Sequence, residues 1–108
     1  MIDRIALRHR QSAWQGRSGR HYDLVSEHLD RFIMDEGFLY LLAKGTHILW
    51  VGSVQDLVAD ALSRTRFRLA LDCADRAYHL GSEADQAERF SIIWDLEGAE
   101  PVAGALAA

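Results

Sequence analysis

The chain has little of what staples or punctuates a fold. Cys73 is the only cysteine and Pro101 the only proline among 108 residues. A single thiol excludes an intrachain disulfide, and a reducing, cytoplasmic setting is the expectation that follows. The residues around Cys73 read as a helix, where a lone cysteine is expected to be a small core residue. Metal-type spacing is missing as well. His9, His21, His28, His47 and His79 never fall three or four residues apart, and neither C-x-x-C nor H-E-x-x-H occurs, so no metal site is expected from spacing. No apolar run approaches the roughly 20 residues a bilayer span needs. Met1 to Arg20 has no apolar stretch of signal-peptide length, so neither a membrane nor a leader is expected. The signatures G-x-x-x-x-G-K-[ST], G-x-G-x-x-G and G-x-S-x-G are all absent, which removes the usual marks of P-loop, dinucleotide-binding and serine-nucleophile chemistry.

Positive charge is also scarce. Twelve Lys and Arg face sixteen Asp and Glu, a net charge of −4, which argues against nonspecific coating of nucleic acid. The distribution is uneven. Met1 to His21 holds Arg4, Arg8, Arg10, Arg17 and Arg20 against Asp3 alone, while the remainder is strongly acidic. A basic arm on an acidic body either seeks phosphate or packs on its own body.

What is present is globular. The hydrophobic fraction of 49% and charged fraction of 26% are those of a folded domain, and the length suits one domain. That domain is expected over residues 1–97, with a basic segment at 1–21. The run 98–108 lacks amphipathic pattern and reads as a flexible tail. Gln11 to Gly19, with Gly16, Ser18 and Gly19, reads as a loop from which Trp14 folds back onto the body. A short strand follows His21, on Tyr22 and Leu24. Phe38 to Lys44 and His47 to Val51 flank a Gly45 turn and predict a hairpin. Both strands are apolar on both faces, so both are expected to be central. Ser53 to Asp56 matches a capping box, opening a helix that ends near Ser63 and buries Leu57, Val58, Ala61 and Leu62. Phe67, Ala70, Leu71, Ala74, Ala77 and Tyr78 predict a second helix over 65–80. Arg68, Asp72 and Arg76 pair on its far face, His79 lies in its last turn, and Gly81 caps it. Ser82 to Arg89 reads as a polar loop or one more turn, and Phe90 to Leu96 as the last strand. The expected class is α/β in the α+β sense: a small, mostly antiparallel sheet flanked by helices, in the order β-β-β-α-α-β.

Candidate sites are few. In Gly16-Arg17-Ser18-Gly19-Arg20, backbone N–H groups and two guanidinium groups can turn toward a phosphate. Arg64, Arg66 and Arg68, at a helix start, can contact phosphates. Arg64 and Arg68 stand at i,i+4 while Arg66 faces elsewhere, which suits a solvated, ion-paired face equally. Asp95 and Glu97, at the end of the last predicted strand, are either site carboxylates or solvated charges.

The hairpin region resembles the core of the GIY-YIG nuclease superfamily. F-L-Y-L-L-A-K at 38–44, I-L-W-V-G-S at 48–53 and the helix opening at Asp56-Leu57 follow that core's order of strand, turn, strand and immediate helix. Trp14 to Tyr22 matches the W-x-G-x-S-G-x-x-Y segment that some members carry upstream. The resemblance implies that Tyr40 stands at the position of the first-strand tyrosine, Trp50 at that of the second-motif tyrosine, and Gly52 at the family glycine. An indole offers only an N–H donor and no acidic hydroxyl. The family's helix arginine would fall near Ala59 or Asp60 and is absent, and no helix is predicted after Leu96 to carry its metal-binding glutamate. Losing one preorganised charge donor costs about 10²–10³ in rate. The resemblance thus implies a catalytically inactive GIY-YIG-like module that binds DNA or RNA weakly, with Arg17, Arg20, Arg64, Arg66 and Arg68 as contacts and no cofactor. A protein-interaction or homodimerising domain is the alternative, favoured by net acidity and three tryptophans. A residual nuclease using a single divalent metal is the third reading.

Overall fold

The computed structural model describes residues 11–81 and 86–102. Arg4, Arg8 and Arg10 of the basic segment, 82–85 of the polar run at 82–89, and 103–108 of the tail lie outside the described residues, and 86–89 form the first turn of the last helix. Strands β1 (Gln11–Gln15) and β2 (His21–Glu27) form a hairpin, and a 3-10 turn at Leu29–Arg31 leaves β2. Strands β3 (Phe38–Lys44) and β4 (His47–Gly52) form a second hairpin. Helices α1 (Val54–Ala59) and α2 (Ala61–Cys73) follow, then β5 (Arg76–Gly81), α3 (Gln86–Glu97) and β6 (Glu100–Pro101). All six strands join one antiparallel sheet in the order β4-β3-β5-β2-β1-β6. The class is the expected α+β arrangement of a sheet flanked by helices.

Alternation along the strands divides the core in two. Trp14, Tyr22, Leu24, Leu41, Val51 and Tyr78 face one side, where Leu96 of α3 and the partly buried Ile92 and Ile93 cover them. Tyr40, Leu42, Trp50 and Ala77 face the other, where Ala70 and Phe67 of α2 and Leu57 of α1 pack. Trp14 is wholly buried and meets Tyr78 edge to face at 5.7 Å. A ring of that size removes roughly 150–250 Å² from water, about 4–6 kcal/mol gross at ~25 cal/mol per Å².

Several expectations are corrected. Trp14 lies in β1, opposite Tyr22, rather than in a loop. Only the Gly16–Gly19 stretch turns. The second helix stops at Cys73, because Ala74 adopts an extended conformation. Residues 76–81 form β5, which bonds to both β3 and β2. Ala74, Ala77 and Tyr78 sit at helical spacing, yet in β5 Ala77 and Tyr78 enter opposite cores. Arg76 therefore leaves the proposed i,i+4 row and lies 4.0 Å from Asp75 in an exposed pair. Gly81 caps no helix, and His79 is a strand residue.

Phe90 to Leu96 is helical, not a strand. Its apolar residues fit either period, and the packing of Ile92, Ile93 and Leu96 against the sheet selects the helix. The capping box is formed: the Ser53 hydroxyl accepts from the Asp56 N–H and the Asp56 carboxylate from the Ser53 N–H. The helix it opens ends at Ala59, where Asp60 caps α2 by accepting from the Leu62 N–H. That break resets the helical phase, so Ala61 and Leu62 are exposed; ahead of it Val58 is exposed as well, while Leu57 packs. Cys73 is exposed as well. Strand β4 is an edge rather than central. Leu49 is skipped in its pairing with β3, a bulge of the kind that blunts sheet edges. After Gly98 the chain stays in the fold as far as Val102: Ala99 is buried, β6 pairs with β1, and the Val102 N–H donates to the Ala13 carbonyl.

Candidate functional site

The segment Trp14-Gln15-Gly16-Arg17-Ser18-Gly19-Arg20-His21-Tyr22 closes around one carboxylate, that of Asp95. One Asp95 oxygen accepts from the Ser18 N–H at 2.6 Å. The other accepts from the Ser18 hydroxyl at 2.7 Å and the Tyr22 hydroxyl at 2.8 Å. The Arg17 N–H donates to the Asp95 carbonyl at 3.2 Å. Each fixed residue of the motif has a physical task. A Cβ at Gly16 would stand 2.5–2.6 Å from the Asp95 carboxyl atoms, so only glycine leaves room. Gly19 takes φ +90°, the left-handed region that side chains disfavour. Trp14 anchors the strand leading into the turn. Burial alone would raise the Asp95 pKa. The hydrogen bonds from Ser18 and Tyr22 and the Arg20 charge outweigh it and hold the carboxyl below its ordinary value. Burial, reinforced by the Asp95 hydrogen bond and charge, pushes the Tyr22 hydroxyl up to about 12.

Beside this socket opens a cleft of about 530 Å³, with Arg20, Tyr22, Phe90, Ser91, Trp94 and Asp95 among its walls. That volume is within the range of small-ligand sites. The Arg17 guanidinium lies 5.0 Å from the centre of the Trp94 ring and that of Arg20 5.0 Å from the Tyr22 ring, at cation–π distance. Trp94 and Phe90 are both more than half exposed. A Cβ at Gly98 would meet the Arg17 side chain at 2.3 Å, so that glycine leaves the path open for Arg17. Trp94 and Phe90 are the contributions missing from the sequence reading. They stand at i and i+4, one face of a helix, with Ile92 and Leu96 on another. Reading 86–97 at the helical period would have found them. Asp95, for which the sequence allows either a site carboxylate or a solvated charge, is the buried centre of the socket.

The other three arginines do not join this surface. They ride on α2, which covers the opposite face of the sheet from α3. Arg64 donates from Nη1 to the carbonyls of Leu57 (2.8 Å) and Val58 (3.1 Å), satisfying the C-terminal end of α1. Arg66 and Arg68 are exposed and, at 100° per residue, point to nearly opposite sides of the helix.

Tyr40 and Gly52 are a direct cross-strand pair. Tyr40 is buried among Phe32, Phe38 and His79, and its hydroxyl accepts from the Asp35 N–H at 2.6 Å. Burial raises its pKa. Trp50 is buried edge-to-face on Phe67 at 4.8 Å. A Cβ at Gly52 would lie 2.5 Å from the Trp50 ring, which explains that glycine through packing. His79 contacts the Glu27 carboxylate at 2.8 Å through Nδ1. Helix α3, which ends at Glu97, covers the sheet face away from Tyr40. Among the described residues no three His, Cys, Asp or Glu side chains converge as a metal site would need. No described helix is long and apolar enough to cross a membrane.

Comparison with protein-family models, with curated proteins and with solved structures returned no match.

Proposed function

We propose that this chain is a non-cleaving, GIY-YIG-like module that binds single-stranded nucleic acid in the cleft between the β1–β2 turn and α3. The observation that carries the reading is one open cleft walled by the exposed rings of Trp94 and Phe90 and by Arg20, whose guanidinium lies over the Tyr22 ring, with the Arg17 guanidinium lying over Trp94. Bases stack on such rings with little regard to sequence, and arginines track the phosphates. The Asp95 carboxylate in the same wall is engaged by three donors and flanked by Arg20, which tempers its repulsion of phosphate. The strand–turn–strand–helix order around Tyr40 and Gly52 supports the family part of the reading. The absence of cleavage is argued from Tyr40, whose hydroxyl is buried and engaged by the Asp35 N–H, and from Trp50, which has no hydroxyl.

The test is fluorescence anisotropy with labelled single- and double-stranded DNA and RNA at low and physiological salt. Single strands are expected to bind more tightly than duplexes. The affinity should fall on a log–log salt plot with a slope of about −0.7 for each phosphate contacted. Trp94→Ala should weaken binding by about 1–3 kcal/mol, and Arg20→Ala should flatten the salt slope. Trp14 and Trp50 are buried, so quenching of the solvent-accessible emission reports on Trp94. Absence of binding at low salt, or equal binding by Trp94→Ala, refutes the proposal.

A further inference from the structure

A different surface carries an independent inference. Helix α2 seats Phe67 and Ala70 on the sheet. Next to that seated arc, at 100° per residue, Leu62, Arg66, Leu69 and Cys73 fall within roughly 60° of one another. Among the described residues, no apolar member of this i, i+4, i+7, i+11 row packs on either core cluster. Leu62 is 55% exposed and Leu69 62%, and Val58, at the end of α1, is 75% exposed. Scattered apolar residues on a surface are ordinary, whereas a row at helical spacing marks an interface. The capping break at Asp60 produces it: Asp60 restarts the helix with its phase turned, and Leu62 rotates out of the core.

We infer that this edge of α2 docks an acidic amphipathic helix of a protein partner. The occupant follows from charge. Arg66 stands between Leu62 and Leu69, so whatever covers the leucines must also cover a cation. A second copy of the chain, placed by a two-fold axis, meets this patch with the same patch, and the row Leu62, Arg66, Leu69 and Cys73 holds no carboxylate of its own to answer the other copy's Arg66. A nucleic-acid strand would answer Arg66 but leave phosphates against Leu62 and Leu69. A helix with leucines at i, i+3 or i+4 and i+7, and glutamates beside them, satisfies both, in the helix-on-groove mode of recognition. The inference does not depend on the nucleic-acid reading, because Trp94 and Arg20 belong to the opposite face of the sheet.

The experiment uses two labelled synthetic helical peptides of roughly 20 residues, long enough to be helical. They share one leucine pattern, flanked in one by glutamate and in the other by lysine. Each is titrated against the whole chain by anisotropy. The glutamate peptide is expected to bind at least about ten-fold more tightly than the lysine peptide. Leu69→Ser should weaken it about ten-fold, on the order expected from losing one buried leucine contact. Arg66→Glu should reverse the peptide preference, and Trp94→Ala should change nothing. All three substituted side chains are exposed, and circular dichroism confirms that each variant is folded. Equal binding of both peptides, binding of neither, or indifference to Arg66→Glu overturns the inference. Self-association in sedimentation that Leu69→Ser abolishes also overturns it, assigning the face to a second copy. Flotation with anionic vesicles lost in the same variant assigns it to a lipid surface.

Discussion

Replacing Asp95 tests the socket at the centre of the W-x-G-x-S-G-x-x-Y segment. Asp95→Ala removes the acceptor of three hydrogen bonds. The Tyr22 hydroxyl is buried, and an orphaned buried donor costs about 1–3 kcal/mol. Ser18 is exposed, so water recovers its N–H and hydroxyl, and their loss adds about 1 kcal/mol. The sum is roughly 2–4 kcal/mol, on the order of 10–20 °C in Tm for a domain of this size. Asp95→Asn keeps the shape, and the hydroxyls of Ser18 and Tyr22 can turn to accept from its amide, so it should cost only about 1–2 kcal/mol. The pH dependence has a definite sign. The folded state holds the Asp95 carboxyl below its ordinary value. Its stabilisation is therefore complete above that ordinary value, near 4, and is lost as pH falls through the depressed one. Urea unfolding followed by circular dichroism at about pH 7 and about pH 3 should show the gap between wild type and Asp95→Asn narrowing in acid. A double-mutant cycle with Tyr22→Phe should return a coupling of about 1–2 kcal/mol. An Asp95→Ala protein as stable as wild type at neutral pH, or a gap indifferent to acid, would refute the reasoning.

Three further outcomes follow from the same geometry. Tyr22 should give a titration step near 12 that Tyr22→Phe deletes from a phenolate absorbance titration. Because its folded pKa is raised, its stabilisation should be full below about pH 10 and lost as pH rises through 12. Gly16→Ala, whose Cβ would strike the Asp95 carboxyl, and Gly52→Ala, whose Cβ would strike the Trp50 ring, should each destabilise by about 1–3 kcal/mol in denaturant melts. Tyr40→Phe leaves the Asp35 N–H without its acceptor; it should cost about 1 kcal/mol in the same melts and leave nucleic-acid anisotropy unchanged.

The legibility of the fold varied by segment, for physical reasons. The β3–β4 hairpin and the capping box at Ser53 were readable because their signals are local: a left-handed glycine at Gly45 and a reciprocal side-chain cap. Residues 74–80 read as helix because Ala74, Ala77 and Tyr78 fit the helical spacing, and β5, buried on both faces, carries no apolar–polar alternation to compete with it; pairing of β5 between β3 and β2 decides for the strand. Residues 90–96 failed in the opposite direction. Aromatic and β-branched residues favour a strand, and the docking of Ile92, Ile93 and Leu96 on the sheet overrode that preference. The candidate site suffered from the second error. A strand at 90–96 puts Phe90 and Trp94 on the same face as Ile92 and Leu96, as one core row, and only the helical period separates the exposed pair from the buried one. At a strand end Asp95 fits a site carboxylate and a solvated charge equally. Arg17 and Arg20 were found through the glycine turn between them. The divergence of Arg66 from Arg64 and Arg68 is legible from the 100° turn per residue, whereas the placement of α2 on the sheet face opposite α3, away from Arg17 and Arg20, is not.

Composition and local pattern were sufficient for the class of the domain, for the absence of an intrachain disulfide, for the hairpin and for the polar turn at Gly16 to Gly19. Those properties depend on residue type and near neighbours, which the chain carries before it folds. The union of that turn with Asp95, 77 residues away from Ser18, required the packed state. So did the assignment of Trp94 and Phe90 to a cleft wall and the separation of the arginines onto opposite faces of one sheet. Each depends on which elements share a core, and burial of Trp14, Tyr78 and Leu96 together sets that partnership, rather than the local preference of any one segment.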